Sequence, residues 1–145
     1  MPEIRPAEER DFPLLAALEQ LIFSQPWSEA AFRSFQENGG RILVAGNAGR
    51  VQGYLTAALA AGEGEIANIA VSPEHRRQGV GRALLSALEQ EARASGICTL
   101  FLEVRLGNLP AQRLYEGVGY RAVGRRKNFY SLPTEDALIY RKDIL

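Results

Sequence analysis

Residues 65–82 read EIANIAVSPEHRRQGVGR, an apolar run followed by a proline, a basic turn and two glycines. The apolar run predicts a strand over 65–72, which Pro73 ends because proline cannot donate to a sheet ladder. Apolar residues then recur at helical spacing, which predicts a helix over 79–95 with Gly96 as its C-terminal stop. A strand, a tight turn and a helix therefore follow each other directly.

The segments on either side of this stretch complete the predicted fold. A strand over 98–105 follows the helix, and a right-handed crossover would set it parallel to the strand over 65–72. Periodicity predicts further strands over 3–6, 41–46, 51–60, 120–126 and 136–141, and further helices over 8–23, 29–37 and 109–118. A hairpin turn over 47–50 would join two of the strands. This order predicts an α/β (α+β) fold: a mixed, mostly antiparallel sheet with one parallel β-α-β crossover and flanking helices.

Length and composition narrow the class of protein. The 145 residues, 46% of them hydrophobic, fit a single domain over 1–145 with one core. Seventeen basic residues balance seventeen acidic ones, which argues against a general nucleic-acid binder. No uncharged stretch approaches the roughly 20 residues of a membrane-spanning helix, and the N-terminus lacks a signal-peptide pattern. We therefore expect a cytoplasmic protein without a membrane partner.

The single cysteine, Cys98, excludes an internal disulfide and cannot nucleate a zinc site, so no metal is expected. Its position at the start of a predicted apolar strand indicates an inert thiol in the core.

The turn before the helix over 79–95 has the features of a phosphate site. Its two glycines allow close backbone approach, the first amides of the helix are free to donate, and the helix dipole favours an anion. Arg76, Arg77 and Arg82 add positive charge. The turn lacks the Lys-Ser/Thr of a P-loop and the three glycines of a dinucleotide-binding turn. Taken alone, the pattern fits a solvated basic turn equally well.

A wider set of residues points to one family. Asn68-Ile69-Ala70-Val71-Ser72-Pro73 is followed by Arg76-Arg77-Gln78-Gly79-Val80-Gly81, by Leu102-Glu103-Val104-Arg105, and by Asn108 with Ala111, Leu114, Tyr115, Glu116, Gly119 and Tyr120. This pattern resembles the GNAT acetyltransferase superfamily and, within it, the RimI-type group that acetylates the N-terminal alanine of a ribosomal protein. The segments over 26–29 and 125–130 also resemble that group, so the likeness covers nearly the whole chain.

The resemblance implies a site for acetyl-CoA as co-substrate. The backbone of Ile69, Ala70 and Val71 would hold the pantetheine arm and the thioester carbonyl, and Asn108 would hydrogen-bond the cofactor. The pyrophosphate would lie on Arg77, Gln78, Gly79, Val80, Gly81 and Arg82. Gly107 and Pro110 stand where the family often has serine and alanine, so the pose of Asn108 is the least constrained part of this site.

The resemblance also implies that Glu103 is the general base and Tyr115 the general acid. The chemistry is consistent with these roles, since a peptide α-amine has a pKa of about 7.7–8.0 and loses a proton to a carboxylate at modest cost. Strand alternation sets Glu103 on one face with Phe101 and Arg105, opposite the apolar set Leu100, Leu102 and Val104. The alternatives are a glutamate neutralised by Arg105 or another arginine, and a tyrosine packed in the core.

Four aromatic residues have two possible roles each. Trp27 and Phe32 could be core residues of the helix over 29–37 or could line a groove for the acceptor. Phe129 and Tyr130 could wall a peptide site or pack within a hairpin. The sequence leaves both pairs open.

The implied function is an Nα-acetyltransferase that transfers acetyl directly from acetyl-CoA to a protein N-terminus. The resemblance suggests the N-terminal alanine of small-subunit ribosomal protein eighteen as acceptor. We expect the protein to be a monomer or weak dimer. The alternatives are a GNAT enzyme that acetylates a small-molecule amine or a lysine, and a non-catalytic acyl-CoA sensor. The segments over 28–38 and 125–136 are not rich in acidic residues as a polyamine or aminoglycoside site would be, which favours a peptide.

Overall fold

A computed structural model describes residues 2–47 and 49–145. Within them the chain forms, in order, β1 (Ile4–Pro6), α1 (Phe12–Ile22), α2 (Glu29–Glu37), β2 (Arg41–Ala45), β3 (Gly53–Ala60), β4 (Glu63–Val71), α3 (Val80–Ala94), β5 (Thr99–Arg105), α4 (Leu109–Gly117), β6 (Arg121–Tyr130) and β7 (Glu135–Asp143). The predicted order of strands and helices is confirmed.

The strands form one sheet in the order β1-β2-β3-β4-β5-β7-β6. β4 and β5 are parallel, and every other neighbouring pair is antiparallel. The predicted mixed sheet with one parallel crossover, formed here by α3, is therefore confirmed. The sequence did not indicate that β7 lies between β5 and β6.

Several boundaries differ from those predicted. The helix expected from residue 8 begins as a short 3-10 turn, Glu9–Asp11, and α1 starts at Phe12 because Pro13 is tolerated only in a first turn. β6 continues to Tyr130, which pairs with Glu135 of β7 beyond a register irregularity between Arg126 and Tyr130. In the predicted turn over 47–50 the Arg50 amide donates to the Asn47 carbonyl, 2.8 Å away, whereas Ala48 lies outside the described residues.

The sheet is packed on both faces at β2 and β3. Leu43 and Leu55 point into a core beneath α3, while their neighbours Val44 and Tyr54 point into a second core beneath α1 and α2. This alternation is the two-residue period of strands buried on both faces. In β5 the predicted apolar set Leu100, Leu102 and Val104 lies in the α3 core.

The expectation for Cys98 is wrong. β5 begins one residue later, at Thr99, and Ile97 fills the core position beside it, so Cys98 ends the preceding turn and is exposed.

The parallel strands β4 and β5 separate partway along their length. Their pairing runs from Glu63 with Thr99 to Ile66 with Leu102 and goes no further. Directly after Ile66, a bulge at Ala67 shifts the pairing of β4 with β3, and such a bulge bends a strand. The remaining residues of β4 stay paired with β3, and a cleft opens between β4 and β5.

None of the helices among the described residues is both long and apolar enough to span a bilayer.

Candidate active site

The cleft between the separated strands has a volume of about 370 Å³. Its lining comes from five parts of the fold: the end of α1 and the chain after it (Glu19, Ile22, Phe23, Ser24, Gln25, Trp27), β4 (Ile66, Ala67, Asn68, Ile69), β5 (Leu102, Glu103, Val104, Arg105), α4 with its N-cap (Asn108, Ala111, Tyr115), and the end of β6 (Tyr130). The structure thus brings four of the residues implied by the resemblance, Glu103, Tyr115, Ile69 and Asn108, together in one cavity. Ala70, which is buried in the core beneath α1 and α2, and Val71 do not line it.

Glu103 is a half-buried carboxylate with one free oxygen. Its side chain is 18% exposed, and Oε1 lies 3.6 Å from Arg126 Nε, beyond hydrogen-bonding distance. Oε2 is buried and has no hydrogen-bond partner among the described residues. Burial raises the pKa of Glu103, the charge of Arg126 lowers it, and the charge of Glu65 raises it further, with a net shift upward. A carboxyl group in this state is suited to accept a proton near neutral pH.

The cation near Glu103 is Arg126 rather than Arg105. The Arg105 guanidinium turns away to the chain that joins β6 and β7, where it binds Glu135 and two backbone carbonyls. Neutralisation of Glu103 by Arg105 is therefore excluded. Arg126 acts on Glu103 as a nearby charge without a hydrogen bond.

Tyr115 reaches the cleft from the second turn of α4. Asn108, Ala111 and Tyr115 share one helix face as predicted, since all three line the cleft. The side chain is only 5% exposed, and its ring packs against Tyr120 and Tyr140 at centroid distances of 6.0 and 6.2 Å. Burial, with a smaller contribution from Tyr130, raises the pKa of the Tyr115 phenol above its usual value. The hydroxyl therefore keeps its proton at neutral pH and can donate it.

Asn108 has a structural role besides its place in the cleft. Its Oδ1 accepts a hydrogen bond from the Ala111 amide at 3.2 Å and so caps α4, which leaves the Nδ2 amide to donate to a ligand. The preceding Gly107 amide donates to Glu135 Oε2 at 2.8 Å. A Cβ at residue 107 would lie 2.7 Å from that oxygen, so glycine in place of the more frequent serine permits this contact.

The basic turn and the start of α3 lie outside the cleft lining. Gly79 is the N-cap of α3 with a φ of +80°, and no side chain caps the helix, so its first amides are free for a ligand. Arg77, Gln78 and Arg82 are exposed, whereas Val80 is buried in the core and can contribute only its backbone. A Cβ on Gly81 would lie 2.9 Å from Leu114 Cδ2, so this glycine also serves the packing of α3 against α4.

The turn also fits an anionic ligand. Open space surrounds the position of a Cβ on Gly79, and the turn is reached directly from the end of β4. Exposed guanidinium groups, free helix amides and a helix dipole are together the features that bind a pyrophosphate. The residues present therefore match the acetyl-CoA site implied by the resemblance.

The four aromatic residues left open by the sequence have different positions. Phe32 is fully buried and packs edge-on to Tyr54 at 5.6 Å, so it is a core residue. Trp27 lines the cleft and also packs on Phe32 at a centroid distance of 5.2 Å, which combines both roles. Tyr130 lines the cleft, whereas Phe129 is 46% exposed and lies outside the lining.

Glu19 was not predicted from the sequence. This fully buried carboxylate lines the cleft and accepts hydrogen bonds from the Trp27 amide at 2.8 Å, from the Tyr54 hydroxyl and from Asn68 Nδ2. It thereby ties the chain after α1 to β4. Its position four residues after Leu15, on the apolar stripe of α1, was the available signal, because a carboxylate on a buried stripe needs partners.

No cluster of three or more His, Cys, Asp or Glu side chains that could hold a metal ion occurs in residues 2–47 and 49–145.

Comparison with known proteins identifies the class. The acetyltransferase (GNAT) family model matches residues 4–120, which is most of the chain. The chain therefore belongs to the GNAT family and is an acyl-CoA-dependent N-acetyltransferase.

Its relatives include proteins with a more specific activity. The ribosomal protein bS18-alanine N-acetyltransferase of Escherichia coli strain K12 is 37% identical over 143 residues, covering 96% of this chain and 95% of that protein. The enzyme of the same name from Haemophilus ducreyi is 34% identical and covers 86% of each chain. A crystal structure of the ribosomal-protein-S18-alanine N-acetyltransferase from Escherichia coli superposes with a TM-score of 0.89 at 36% identity, covering 99% of this chain and 94% of that one.

Proposed function

We propose that this enzyme transfers the acetyl group of acetyl-CoA to a protein N-terminal α-amine, with the N-terminal alanine of ribosomal protein bS18 as acceptor. The observation that carries the proposal is the half-buried Glu103 with its unpaired oxygen, which lies in one cleft with the protonated Tyr115. Similarity to bS18-alanine N-acetyltransferases over nearly the whole chain supports this acceptor.

In this proposal Glu103 and Tyr115 handle the two protons of a direct transfer. The amine nitrogen attacks the thioester carbonyl carbon, a C–N bond forms and the C–S bond breaks. Glu103, directly or through a water, takes the proton that the amine loses, and the Tyr115 hydroxyl donates a proton to the departing thiolate. Both groups return to their starting states by exchange with solvent.

The separated part of β4 would supply the backbone contacts of the acetyl donor. Residues 67–71 keep β3 as a neighbour on one side, and the side that would face β5 in a continuous sheet has no strand to bind. Alternate residues of a strand direct their backbone N–H and C=O to the same edge, and the Ser72 amide donates to Gln52 on the β3 side, so Ala70 faces β3 whereas Ile69 and Val71 face the open side. Backbone groups of Ile69 and Val71 can therefore hold an extended arm and the thioester oxygen, as donors aimed at developing negative charge do in acyl transfer. The turn from Arg77 to Arg82 would then bind the pyrophosphate, and Asn108 Nδ2 would donate to the donor arm.

The direct test is steady-state release of CoA from acetyl-CoA with two peptides that carry the bS18 N-terminal sequence. One has a free α-amine, and the other is blocked there and carries a lysine. Turnover on the free N-terminus alone is the expected result. Turnover on the blocked peptide would indicate a lysine acetyltransferase, and binding of acetyl-CoA with no turnover on either peptide would indicate a small-molecule acceptor or a sensor.

Two glycine substitutions test the acetyl-CoA site. Gly79 and Gly96 both have a φ near +80° (+80° and +78°) with nothing within 4 Å of an added Cβ, so each change to alanine is expected to cost about 1–2 kcal/mol of unfolding free energy. Only Gly79 lies in the proposed pyrophosphate turn. Gly79→Ala should therefore also reduce the rise in unfolding midpoint caused by acetyl-CoA, whereas Gly96→Ala should keep the full rise.

Thermal unfolding with and without saturating acetyl-CoA measures both effects. For the wild type, ligand at 100 times its dissociation constant adds about 2.7 kcal/mol. If acetyl-CoA raised the unfolding midpoint of the two variants equally, the start of α3 would not be part of the acetyl-CoA site.

A further inference from the structure

Arg105 is a partly exposed side chain that binds groups from different parts of the fold. Nη1 donates to the Pro133 carbonyl at 3.0 Å and to Glu135 Oε1 at 3.1 Å. Nη2 donates to the Ser131 carbonyl at 2.9 Å and to Ser24 Oγ at 3.3 Å. The guanidinium also lies over the Tyr130 ring, 4.5 Å from its centroid. One side chain at the end of β5 thus contacts two other parts of the fold.

Both parts border the cleft. Ser24 belongs to the connection between α1 and α2, which lines one side together with Trp27. Tyr130 lines the cleft where β6 ends, and Ser131 and Pro133 belong to the connection from β6 to β7. Arg105 itself lines the cleft between them.

The guanidinium group is suited to such a bridge. It is planar and holds five N–H donors in a fixed arrangement, and it can stack on an aromatic ring while its edges bind acceptors. Here the donors bind two carbonyls, a carboxylate and a hydroxyl, and the face of the group covers Tyr130. A lysine could keep the ion pair with Glu135, but a single ammonium group cannot reproduce this set of contacts.

We infer that Arg105 is a positioning residue for the acceptor: it fixes the connection between α1 and α2, which lines the cleft, relative to the connection that follows Tyr130, and so sets the orientation of the incoming N-terminus. This inference rests on the proposed function, because it takes the cleft as the place where the acceptor binds. It assigns no proton transfer to Arg105, since that side chain does not bind Glu103 and is always charged.

Arg33 provides a matched control. It is also a partly exposed arginine (35% against 26% for Arg105) that stacks on an aromatic ring, Phe12, and binds two carboxylates, those of Glu9 and Glu29. It does not line the cleft. Arg33→Ala therefore removes a comparable set of contacts at a distance from the acceptor.

The experiment compares Arg105→Ala, Arg105→Lys and Arg33→Ala with the wild type in steady-state assays with the free bS18 peptide. Both Arg105 variants are expected to raise the KM for the peptide by about 10-fold or more and to leave the KM for acetyl-CoA within about 2-fold, because the peptide must then order the two connections when it binds, a cost that falls on binding of the acceptor. Arg33→Ala should leave both constants unchanged. The lysine variant retains the positive charge, so it can still test the inference if the alanine variant does not fold.

Amide hydrogen exchange on the same proteins supplies a readout that does not depend on activity. Residues 22–28 and 131–135 are expected to exchange faster in the Arg105 variants and at the wild-type rate in Arg33→Ala. If the wild type acetylates no N-terminus, the proposed function fails, whatever the exchange data show. If it does, and the Arg105 variants keep the wild-type peptide KM or the wild-type exchange in both segments, the inference about Arg105 is overturned.

Discussion

Replacing Glu103 by glutamine is expected to lower kcat/KM for the peptide at pH 7 by about 10²-fold or more, the usual contribution of a general base. The defect should shrink as the pH rises through the α-amine pKa of about 8, because the amine then loses its proton without help. The wild-type kcat/KM should fall at low pH as Glu103 becomes protonated, which gives the pH profile an acid limb. Because burial raises the pKa of Glu103, the midpoint of this limb should lie above the pKa of an ordinary glutamate. Wild-type activity of Glu103→Gln across the whole range would refute the assignment.

Glu65 offers the control for this prediction. It is an exposed carboxylate on the neighbouring strand whose charge raises the pKa of Glu103. Glu65→Gln should therefore keep the maximal kcat and shift the acid limb of the profile to lower pH. A shift in the opposite direction would show that another group controls this limb.

The same carboxylate has a predicted effect on stability. Because the pKa of Glu103 is raised in the folded state, the stability linked to its protonation is present at low pH and is lost as the pH rises through the folded pKa. At pH 7 the ionised, half-buried group therefore contributes no stability. Glu103→Gln should unfold at the same denaturant concentration as the wild type or a higher one, so a loss of activity would not reflect unfolding.

Tyr115→Phe is expected to lower kcat by about 10²-fold while the KM values for peptide and acetyl-CoA change little, since only the proton donor is removed. Tyr120 is the matched control, because its ring packs against Tyr115 at 6.0 Å and it is equally buried. The Tyr120 hydroxyl has no hydrogen-bond partner among the described residues and does not line the cleft. Tyr120→Phe should thus keep wild-type kinetics and at least wild-type stability.

Rate measurements on the two tyrosine variants decide between a proton donor and a packing residue. Equal kinetics for Tyr115→Phe and the wild type would assign Tyr115 to the core alone. A rise in both KM values with unchanged kcat would instead indicate that the hydroxyl orders the bound substrates.

The element order was predictable because it depends on local patterns. Helical spacing in α3 and the proline after β4 are visible within about 15 residues of sequence. The position of β7 between β5 and β6 was not, because strand order depends on contacts between distant residues. The separation of β4 from β5 also escaped prediction, since the bulge at Ala67 is defined only by its pairing with β3.

The candidate site residues came from the resemblance to the GNAT family, not from local patterns alone. The patterns were consistent with it, since Glu103 is a charged residue in an apolar strand and helical spacing groups Tyr115 with Asn108. The capping role of Asn108 and the contacts of Arg105 depend on residues elsewhere in the chain, so no local pattern indicated them. Glu19 was overlooked because its partners Tyr54 and Asn68 are 35 and 49 residues away.

Because β4 and β5 separate beyond Ile66, β4 has an unpaired strand edge in the middle of the sheet. An exposed strand edge is a liability, because its free amides and carbonyls can recruit a strand of another molecule and start aggregation. Here the edge of β4 beyond Ile66 opens into a cavity of about 370 Å³ that Trp27 and Tyr130 help to enclose. In the proposed function the extended arm of acetyl-CoA binds along this edge, which would cover the backbone groups that could otherwise pair with a strand of another molecule.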